Sequence, residues 1–164
     1  VNLQTSYARL LNENGLELRM RLSGQYSDGI LYSGERLAAG GRQTVRGYRE
    51  TLALADQGVV GSIELAHPFD LSPSGGNSKK FDWGSFSASV FVDGALLDNR
   101  DVEDPVADRL LSVGAGLQWR PAAGFLASAA YAHSLQDVVA PGRRDLQDRG
   151  VHFAITVKPL ELFR

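Results

Sequence analysis

The sequence predicts an all-β protein that forms an antiparallel transmembrane β-barrel, and three observations predict it. Apolar and polar residues alternate with a period of two in seven separate stretches, which is the pattern of strands with one apolar and one wet face. Most of these stretches are close to the roughly 9–11 residues that a tilted strand needs to cross a bilayer. Tight turns and long polar loops alternate between them, except at residues 68–82, and this asymmetry is typical of outer-membrane barrels.

The alternation is clearest in the second stretch, residues 16–22. Its even positions are Leu or Met, and its odd positions are Glu17, Arg19 and Arg21. So many charges would be costly in the packed interior of a small soluble barrel. We therefore expect the charged face to line a wet lumen and the apolar face to contact lipid. The first stretch, residues 3–11, has an ambiguous facing.

Five further stretches continue the pattern, and each is expected to place one face toward the lumen and one toward lipid. Glu64 and Lys158 fall on the polar side of this alternation and extend the predicted charged lumen wall. Gly114 and Gly116 fall on the polar face of another stretch, where we expect them to make room for neighbouring side chains. The stretches are residues 59–67, 85–93, 110–120, 124–134 and 151–157.

Aromatic residues cluster beside the connections at one end of the predicted sheet. We predict that they contribute to the aromatic belt that marks a membrane interface. By strand parity Trp119 would face lipid and Trp83 the lumen, so only part of the set can belong to the belt. The residues are Phe69, Phe81, Trp83, Trp119 and Phe125.

Composition excludes several other classes of protein. The 164 residues carry 17 Lys and Arg against 19 Asp and Glu, so the strongly basic balance of a nucleic-acid binder is absent. There is no cysteine, which excludes disulfides, thiolate zinc sites and a cysteine nucleophile. The mean hydropathy is -0.16, and no run approaches the roughly 20 apolar residues of a membrane-spanning helix.

The sequence points to neither an enzyme, a cofactor nor a metal ion. His67, His133 and His152 lie on separate predicted strands without the spacing of metal ligands. His133 and Ser134 are neighbours in a strand, so their side chains point to opposite faces, which argues against a catalytic pair. We therefore expect a protein without enzymatic activity that needs no cofactor.

The chain is expected to be part of a larger barrel. It starts at Val1 rather than at a methionine, and seven is an odd number of strands. Bacterial single-chain barrels have an even number of strands, and an open sheet edge in lipid would leave backbone groups unpaired. We therefore interpret residues 1–164 as the C-terminal part of an outer-membrane β-barrel.

One loop motif narrows the family. The long loop over residues 27–57 contains a Gly-Gly pair, a short spacer and then Val-Arg-Gly-Tyr, which are Gly40, Gly41, Val45, Arg46, Gly47 and Tyr48. This pattern resembles the large loop of two-partner secretion transporters of the TpsB or haemolysin-activator type (ShlB/FhaC/HecB), which are related to BamA. In that family the loop folds back into the barrel. The resemblance covers residues 16–94, and the strand pattern continues beyond them.

The resemblance implies a partner for the loop arginine. The family pairs it with an aspartate on a following strand, in a Phe-x-Asp-x-Gly motif. Phe91 and Asp93 match, but Gly94 comes one position early and Ala95 takes the glycine position. We predict that Arg46 and Asp93 form an ion pair that docks the loop in the lumen. The alternative is a solvated loop arginine and an aspartate that caps the end of a strand.

The resemblance also implies a function. The complete protein would be a pore of about sixteen strands in the outer membrane of a Gram-negative cell, and it would export a large haemolysin- or adhesin-type partner protein. Periplasmic domains that recognise this cargo would precede the barrel and are not represented in residues 1–164. Two other classes stay open at this point: an outer-membrane protein assembly factor or surface-antigen barrel of the BamA type, and a soluble ligand-binding β-barrel.

Overall fold

The fold is built from β-strands alone. A computed structural model describes residues 1–69, 84–100, 107–121, 124–138 and 149–158, and these ranges contain no α-helix. In particular, they hold no helix with the length and apolar character needed to cross a membrane. The prediction of an all-β antiparallel fold is confirmed.

Nine strands follow one another along the described chain. They are β1 (Asn2–Leu10), β2 (Glu17–Gln25), β3 (Leu37–Ala39), β4 (Ala53–Ala55), β5 (Gln57–Phe69), β6 (Ser85–Asp98), β7 (Arg109–Arg120), β8 (Phe125–Ser134) and β9 (Val151–Val157). The seven long strands form one sheet in the order β1-β2-β5-β6-β7-β8-β9, and every neighbouring pair is antiparallel. Each of these seven strands overlaps one of the seven stretches of alternating sequence, with ends that differ by up to five residues.

Two short strands inside the long loop were not predicted. Strands β3 and β4 pair as an antiparallel hairpin, with Leu37 opposite Ala55 and Ala39 opposite Ala53. Each has three residues, which is too short to display an alternating pattern. The hairpin gives the loop a regular base from which its tip, residues 40–52, projects.

Strand β6 is longer than the sequence predicts. The predicted strand ends at Asp93, but β6 continues to Asp98, and Gly94 pairs with both β5 and β7. The prediction of a loop that starts at Gly94 is therefore wrong by several residues. Asp93 lies inside the strand rather than at its end, and Ala95 continues the buried face instead of forming a turn.

The two faces of the sheet differ sharply in polarity. Side chains alternate across a strand, and the register places Met20, Ile63, Val92 and Val113 side by side on one face. All four are exposed. We call this the outer face. The opposite, inner face carries buried polar residues, among them Ser62, Glu64, Asp93, Ser112 and His152.

The hydrophobic core lies between the long loop and the inner face, at the end of the sheet where the long loops emerge. Val60, Ala95 and Leu110 form one row across β5, β6 and β7. Loop residues cover this row, including Val45 and Tyr48, which are both buried. The core also contains Ala39, Leu52, Ala53, Ala55 and Leu97. The loop therefore folds back onto the inner face of the sheet.

An aromatic row crosses the outer face at the opposite end of the sheet, where β1 and β2 and also β7 and β8 are joined by short turns. Phe69 stacks on Phe86 with 5.6 Å between ring centroids, and Phe86 stacks on Trp119 at 6.1 Å. Trp119 meets Phe125 edge to face at 6.3 Å. Trp119 thus lies on the outer face, whereas Phe81 and Trp83 fall outside the described residues.

Candidate functional site

The centre of the candidate site is an ion pair between the loop and the sheet. The Arg46 guanidinium donates from Nε to Asp93 Oδ2 at 2.7 Å and from Nη2 to Asp93 Oδ1 at 2.8 Å. The two side chains therefore meet in the bidentate geometry that gives an arginine–carboxylate pair its strength and direction. Asp93 is 0% exposed and Arg46 is 7% exposed. We call this pair the loop lock.

Strand β5 completes the surroundings of the guanidinium. Arg46 Nη1 lies 2.6 Å from Glu64 Oε2, and Arg46 Nη2 donates to the Ser62 hydroxyl at 3.2 Å. Ser62 in turn donates to Asp93 Oδ1 at 2.7 Å. Ser62 lies directly opposite Asp93 in the register, and Glu64 shares their face by parity, so the three side chains converge because of strand geometry alone.

An aromatic ring stacks on one face of the planar guanidinium of Arg46. The central carbon of Arg46 lies 3.3 Å from the centroid of the Phe91 ring, a cation–π contact. Phe91 pairs with Gly114 on β7. A Cβ atom at Gly114 would lie 2.5 Å from Phe91 Cζ, which is closer than real Cβ contacts. Glycine at position 114 therefore leaves the space that the ring occupies.

The charges of the loop lock are mutually dependent. Burial by itself would lower the pKa of Arg46, but the hydrogen bonds and the attraction of Asp93 and Glu64 outweigh burial and hold that pKa above its ordinary value. Arg46 is thus a permanent cation. Removing one partner of a buried pair costs about 3–5 kcal/mol, because the other charge is left without compensation.

The next loop residue, Gly47, reaches the last strand. Its backbone N–H donates to Nε2 of His152 on β9 at 2.9 Å. Its φ angle is +95°, a left-handed conformation that favours glycine. A Cβ atom here would also lie 3.2 Å from Ala132 and 3.3 Å from Ser112 Cβ. Both the backbone conformation and the space therefore call for glycine.

Tyr48 ties the loop to two more strands. Its hydroxyl donates to the carbonyl of Leu111 on β7 at 2.8 Å, and it accepts from the N–H groups of Leu111 and Gln136 at 3.3 Å each. The ring itself is buried. Tyr48 therefore fills the core and also satisfies backbone groups where β7 begins and where the chain leaves β8.

Three consecutive loop residues thus contact strands β5, β6, β7 and β9. The amides of Arg46 and Gly47 are neighbours, yet they donate to Asp93 on β6 and to His152 on β9. In a flat sheet strands three places apart would be separated by about 14 Å, at roughly 4.8 Å per strand. Adjacent amides can reach both side chains because the sheet curls around the loop tip.

The glycine pair at positions 40 and 41 shapes the turn that precedes the motif. Their φ angles are +104° and +99°. A Cβ atom at Gly40 would collide with the Arg49 carbonyl, and one at Gly41 would collide with the Glu50 carboxylate. Gly41 also donates its N–H to the Val45 carbonyl at 3.1 Å. The turn delivers Val45 into the core, where it is fully buried.

Of the residues predicted to line the lumen, Glu17, Arg19, Arg21 and Glu64 lie on the inner face of β2 and β5 near this site, whereas Lys158 lies at the other end of the sheet. Arg19 contacts Glu17 at 2.5 Å and Glu64 at 3.5 Å, so Glu64 bridges Arg19 and Arg46. Arg21 shares this face and is exposed, and it borders a cavity of about 380 Å³. Lys158 directly follows β9 and is exposed.

Sequence reasoning missed two residues of this region. His152 was assigned no role, although its parity on β9 placed it on the polar face. Asp56 was not singled out, yet it is fully buried beside β5. It accepts from the N–H groups of Leu31 at 2.9 Å and Arg100 at 3.1 Å. These bonds, that of Leu31 first, lower the pKa of Asp56.

Asp56 therefore joins the start of the long loop to the connection that follows β6. Arg36 adds a contact of 3.2 Å from its Nε to Asp56 Oδ1. No motif or periodic pattern marks this residue, because it lies in a loop.

The described ranges hold no group of three or more side chains suited to a metal ion.

Comparison with known proteins gives one match. The family model described as haemolysin secretion/activation protein ShlB/FhaC/HecB matches residues 1–119, which include the long loop, the loop lock and most of β7. No curated protein and no solved structure matches the chain. The family is one of outer-membrane secretion proteins that activate haemolysins in two-partner secretion, not of enzymes. The matched residues cover more than half of the chain, which therefore belongs to the ShlB/FhaC/HecB family.

Proposed function

We propose that this chain is the C-terminal part of an outer-membrane pore of about sixteen strands that exports a large haemolysin- or adhesin-type partner protein. The observation that carries the proposal is the loop lock on the inner face. A buried arginine and aspartate that join a long loop to the concave side of a membrane-length sheet are suited to holding a plug inside a pore. Membership of the family supports the same activity.

The polarity of the two faces supports a membrane pore. On the outer face, aliphatic side chains such as Val92 and Val113 are exposed, and exposure to lipid gives these residues an apolar surrounding. The aromatic row from Phe69 to Phe125 lies at one end of this face, as expected for a membrane interface. On the inner face, Glu17, Arg19 and Arg21 offer a hydrated wall to a passing polypeptide, whereas Glu64 is buried against Arg46.

The docked loop represents the resting state in this proposal. Its tip packs against β5, β6, β7 and β9 on the inner face, and it occupies space that a polypeptide would need. Export therefore requires the tip, residues 40–52, to leave at least part of these contacts. In this proposal, binding of the cargo on the periplasmic side supplies the signal for that movement.

The function is tested by comparing the proteins that cells release with and without the complete transporter. We expect one large protein to disappear from the medium and to accumulate in the periplasm when the transporter is deleted. Asp93→Lys, which places a second cation against Arg46, should undock the tip and make the outer membrane more permeable to large antibiotics than in the wild type. Val92→Ala is the matched control, since the neighbouring side chain points to the outer face.

Two results would contradict the proposal. One is an unchanged set of released proteins in the deletion strain. The other is a general loss of outer-membrane proteins without a specific secretion defect, which would favour an assembly factor of the BamA type.

A further inference from the structure

One contact of the docked tip, beside the loop lock, uses an ionisable side chain on β9. The Gly47 N–H donates to Nε2 of His152, with 2.9 Å between the two nitrogens. The imidazole is 4% exposed. His152 lies on β9, outside residues 1–119 that match the family, and it belongs to a strand at the edge of the described sheet.

The direction of this hydrogen bond fixes the protonation state of His152. A backbone N–H can only donate, so Nε2 must accept, and an imidazole accepts at Nε2 only when it is neutral and carries its proton on Nδ1. A protonated imidazole donates from both nitrogens. One proton on Nε2 would therefore replace an attractive contact with two donors that face each other.

Charged groups surround the imidazole within the described part of the chain. Two anions, Glu50 and Asp93, and two cations, Arg42 and Arg46, act on it. Arg42 and Glu50 belong to the same loop tip, and Asp93 comes from β6. On the neighbouring strand β8, the residue opposite His152 is Ala130, which carries no charge. Three of these four charges belong to the loop tip, so docking of the tip sets the electrostatic surroundings of His152.

We propose that His152 is a proton-sensitive second latch, which positions the loop tip against β9 as long as its imidazole is neutral. The proposal rests on the proposed function, in which the docked loop is the resting state. The latch differs from the loop lock because Arg46 keeps its charge throughout the pH range of a living cell. Acidification would therefore release Gly47 from β9 while Arg46 remains paired with Asp93.

The latch is tested by how fast a maleimide modifies a cysteine that is placed at a buried position of the loop. Residues 1–164 contain no cysteine, so Val45→Cys introduces the one thiol of this segment, at a fully buried position, and any cysteine elsewhere in the complete transporter is first replaced by serine. Its modification by a maleimide is followed in the complete transporter, reconstituted in liposomes, at pH 7.5 and 5.5. Gln43→Cys, at an exposed loop position, is the matched control, and its rate corrects for the effect of pH on thiol reactivity.

We expect the corrected rate at Val45→Cys to rise about tenfold between pH 7.5 and 5.5, which corresponds to the loss of one buried hydrogen bond. His152→Gln keeps an acceptor but does not titrate, so its rate should be slow at both pH values. His152→Leu cannot accept, so its rate should be fast at both. Comparing these two variants separates the role of His152 as a hydrogen-bond acceptor that positions the loop from a role in packing alone.

The proposal is overturned if the wild-type rate does not change with pH, or if His152→Gln shows the same rise as the wild type. If His152→Leu fails to fold, the comparison of wild type with His152→Gln still decides the matter. The labelling does not depend on secretion. A pH-dependent latch in a protein that exports no cargo would contradict the proposed function and leave the latch standing.

Discussion

The Asp93 carboxylate accepts hydrogen bonds from both the main chain and the side chain of Arg46. The backbone N–H lies 3.1 Å from Oδ2, and the guanidinium binds both carboxylate oxygens. Asp93 therefore fixes the path of the loop as well as its charge. A lysine at position 46 would keep the charge but lose the planar fork that reaches both Asp93 and Glu64.

Replacing Gly114 by alanine should destabilise the fold more than replacing Gly116. In Gly114→Ala the new Cβ meets the Phe91 ring and backbone atoms of β8, whereas in Gly116→Ala the nearest atom is the Ser89 hydroxyl, which can rotate away. We expect Gly114→Ala to lower the free energy of unfolding by about 1–3 kcal/mol, as overpacking does. Urea unfolding in detergent micelles measures both variants, and equal effects would argue against the role of Gly114.

The hydroxyl of Tyr48 should protect backbone amides on the sheet. Tyr48→Phe leaves the N–H groups of Leu111 and Gln136 without this acceptor, at a cost of about 1–2 kcal/mol. Hydrogen exchange at both amides should accelerate. Tyr131→Phe is the control, because Tyr131 is exposed on the outer face. Unchanged exchange in Tyr48→Phe would show that the hydroxyl does not hold this junction.

Asp56 should make the junction between the start of the long loop and the connection after β6 sensitive to acid. Its pKa in the folded protein is lowered, first by the N–H of Leu31, so its stabilising effect is complete above its ordinary pKa of 3.8 and is lost as the pH falls through the lower folded value. Hydrogen exchange at Leu31 and Arg100, corrected for the intrinsic pH effect, should accelerate below about pH 4. Asp56→Asn should abolish this dependence, while Asp28→Asn, at an exposed position, should retain it.

Trp119 should lie at the depth of a membrane interface. It is one of two tryptophans in residues 1–164, so Trp83→Phe makes it the single tryptophan of this segment, and any tryptophan elsewhere in the complete transporter is replaced as well. We expect its fluorescence to be quenched most by lipids brominated near the headgroup, and Phe86→Ala should weaken that quenching by removing its stacking partner. Quenching by aqueous acrylamide alone would place the row outside the membrane and contradict the assignment of the outer face.

Strand parity was enough to predict much of the fold. Alternation marked the seven long strands, and it put Glu64, Asp93 and His152 on polar faces before their contacts were known. It failed beyond Asp93, because Gly94, Ala95, Leu96 and Leu97 are all small or apolar and display no alternation. It also missed β3 and β4, since three residues do not complete two periods.

The contacts of the site were less predictable than the faces. The hydrogen bond from Gly47 to His152 joins residues 105 positions apart, and it depends on how far the sheet curls, which no local pattern reports. Asp56 is held by backbone N–H groups of two separate loops. Loop conformation decides such contacts, and a single sequence carries little information about it.

The most direct test of the account is a double-mutant cycle between Arg46 and Asp93. The protection of Val45→Cys from modification gives the free energy of loop docking in Arg46→Gln, Asp93→Asn and the double variant. Arg46→Gln leaves the buried Asp93 carboxylate without its cation, and Asp93→Asn leaves Arg46 with Glu64 as its one anionic partner among the described residues. Because each single change breaks the buried pair, the double variant should cost much less than the sum of the two, with a coupling of about 2 kcal/mol or more. Arg46→Gln combined with Asp98→Asn, at the exposed end of β6, should be additive. Additive effects for Arg46 and Asp93 themselves would contradict the claim that this pair holds the loop.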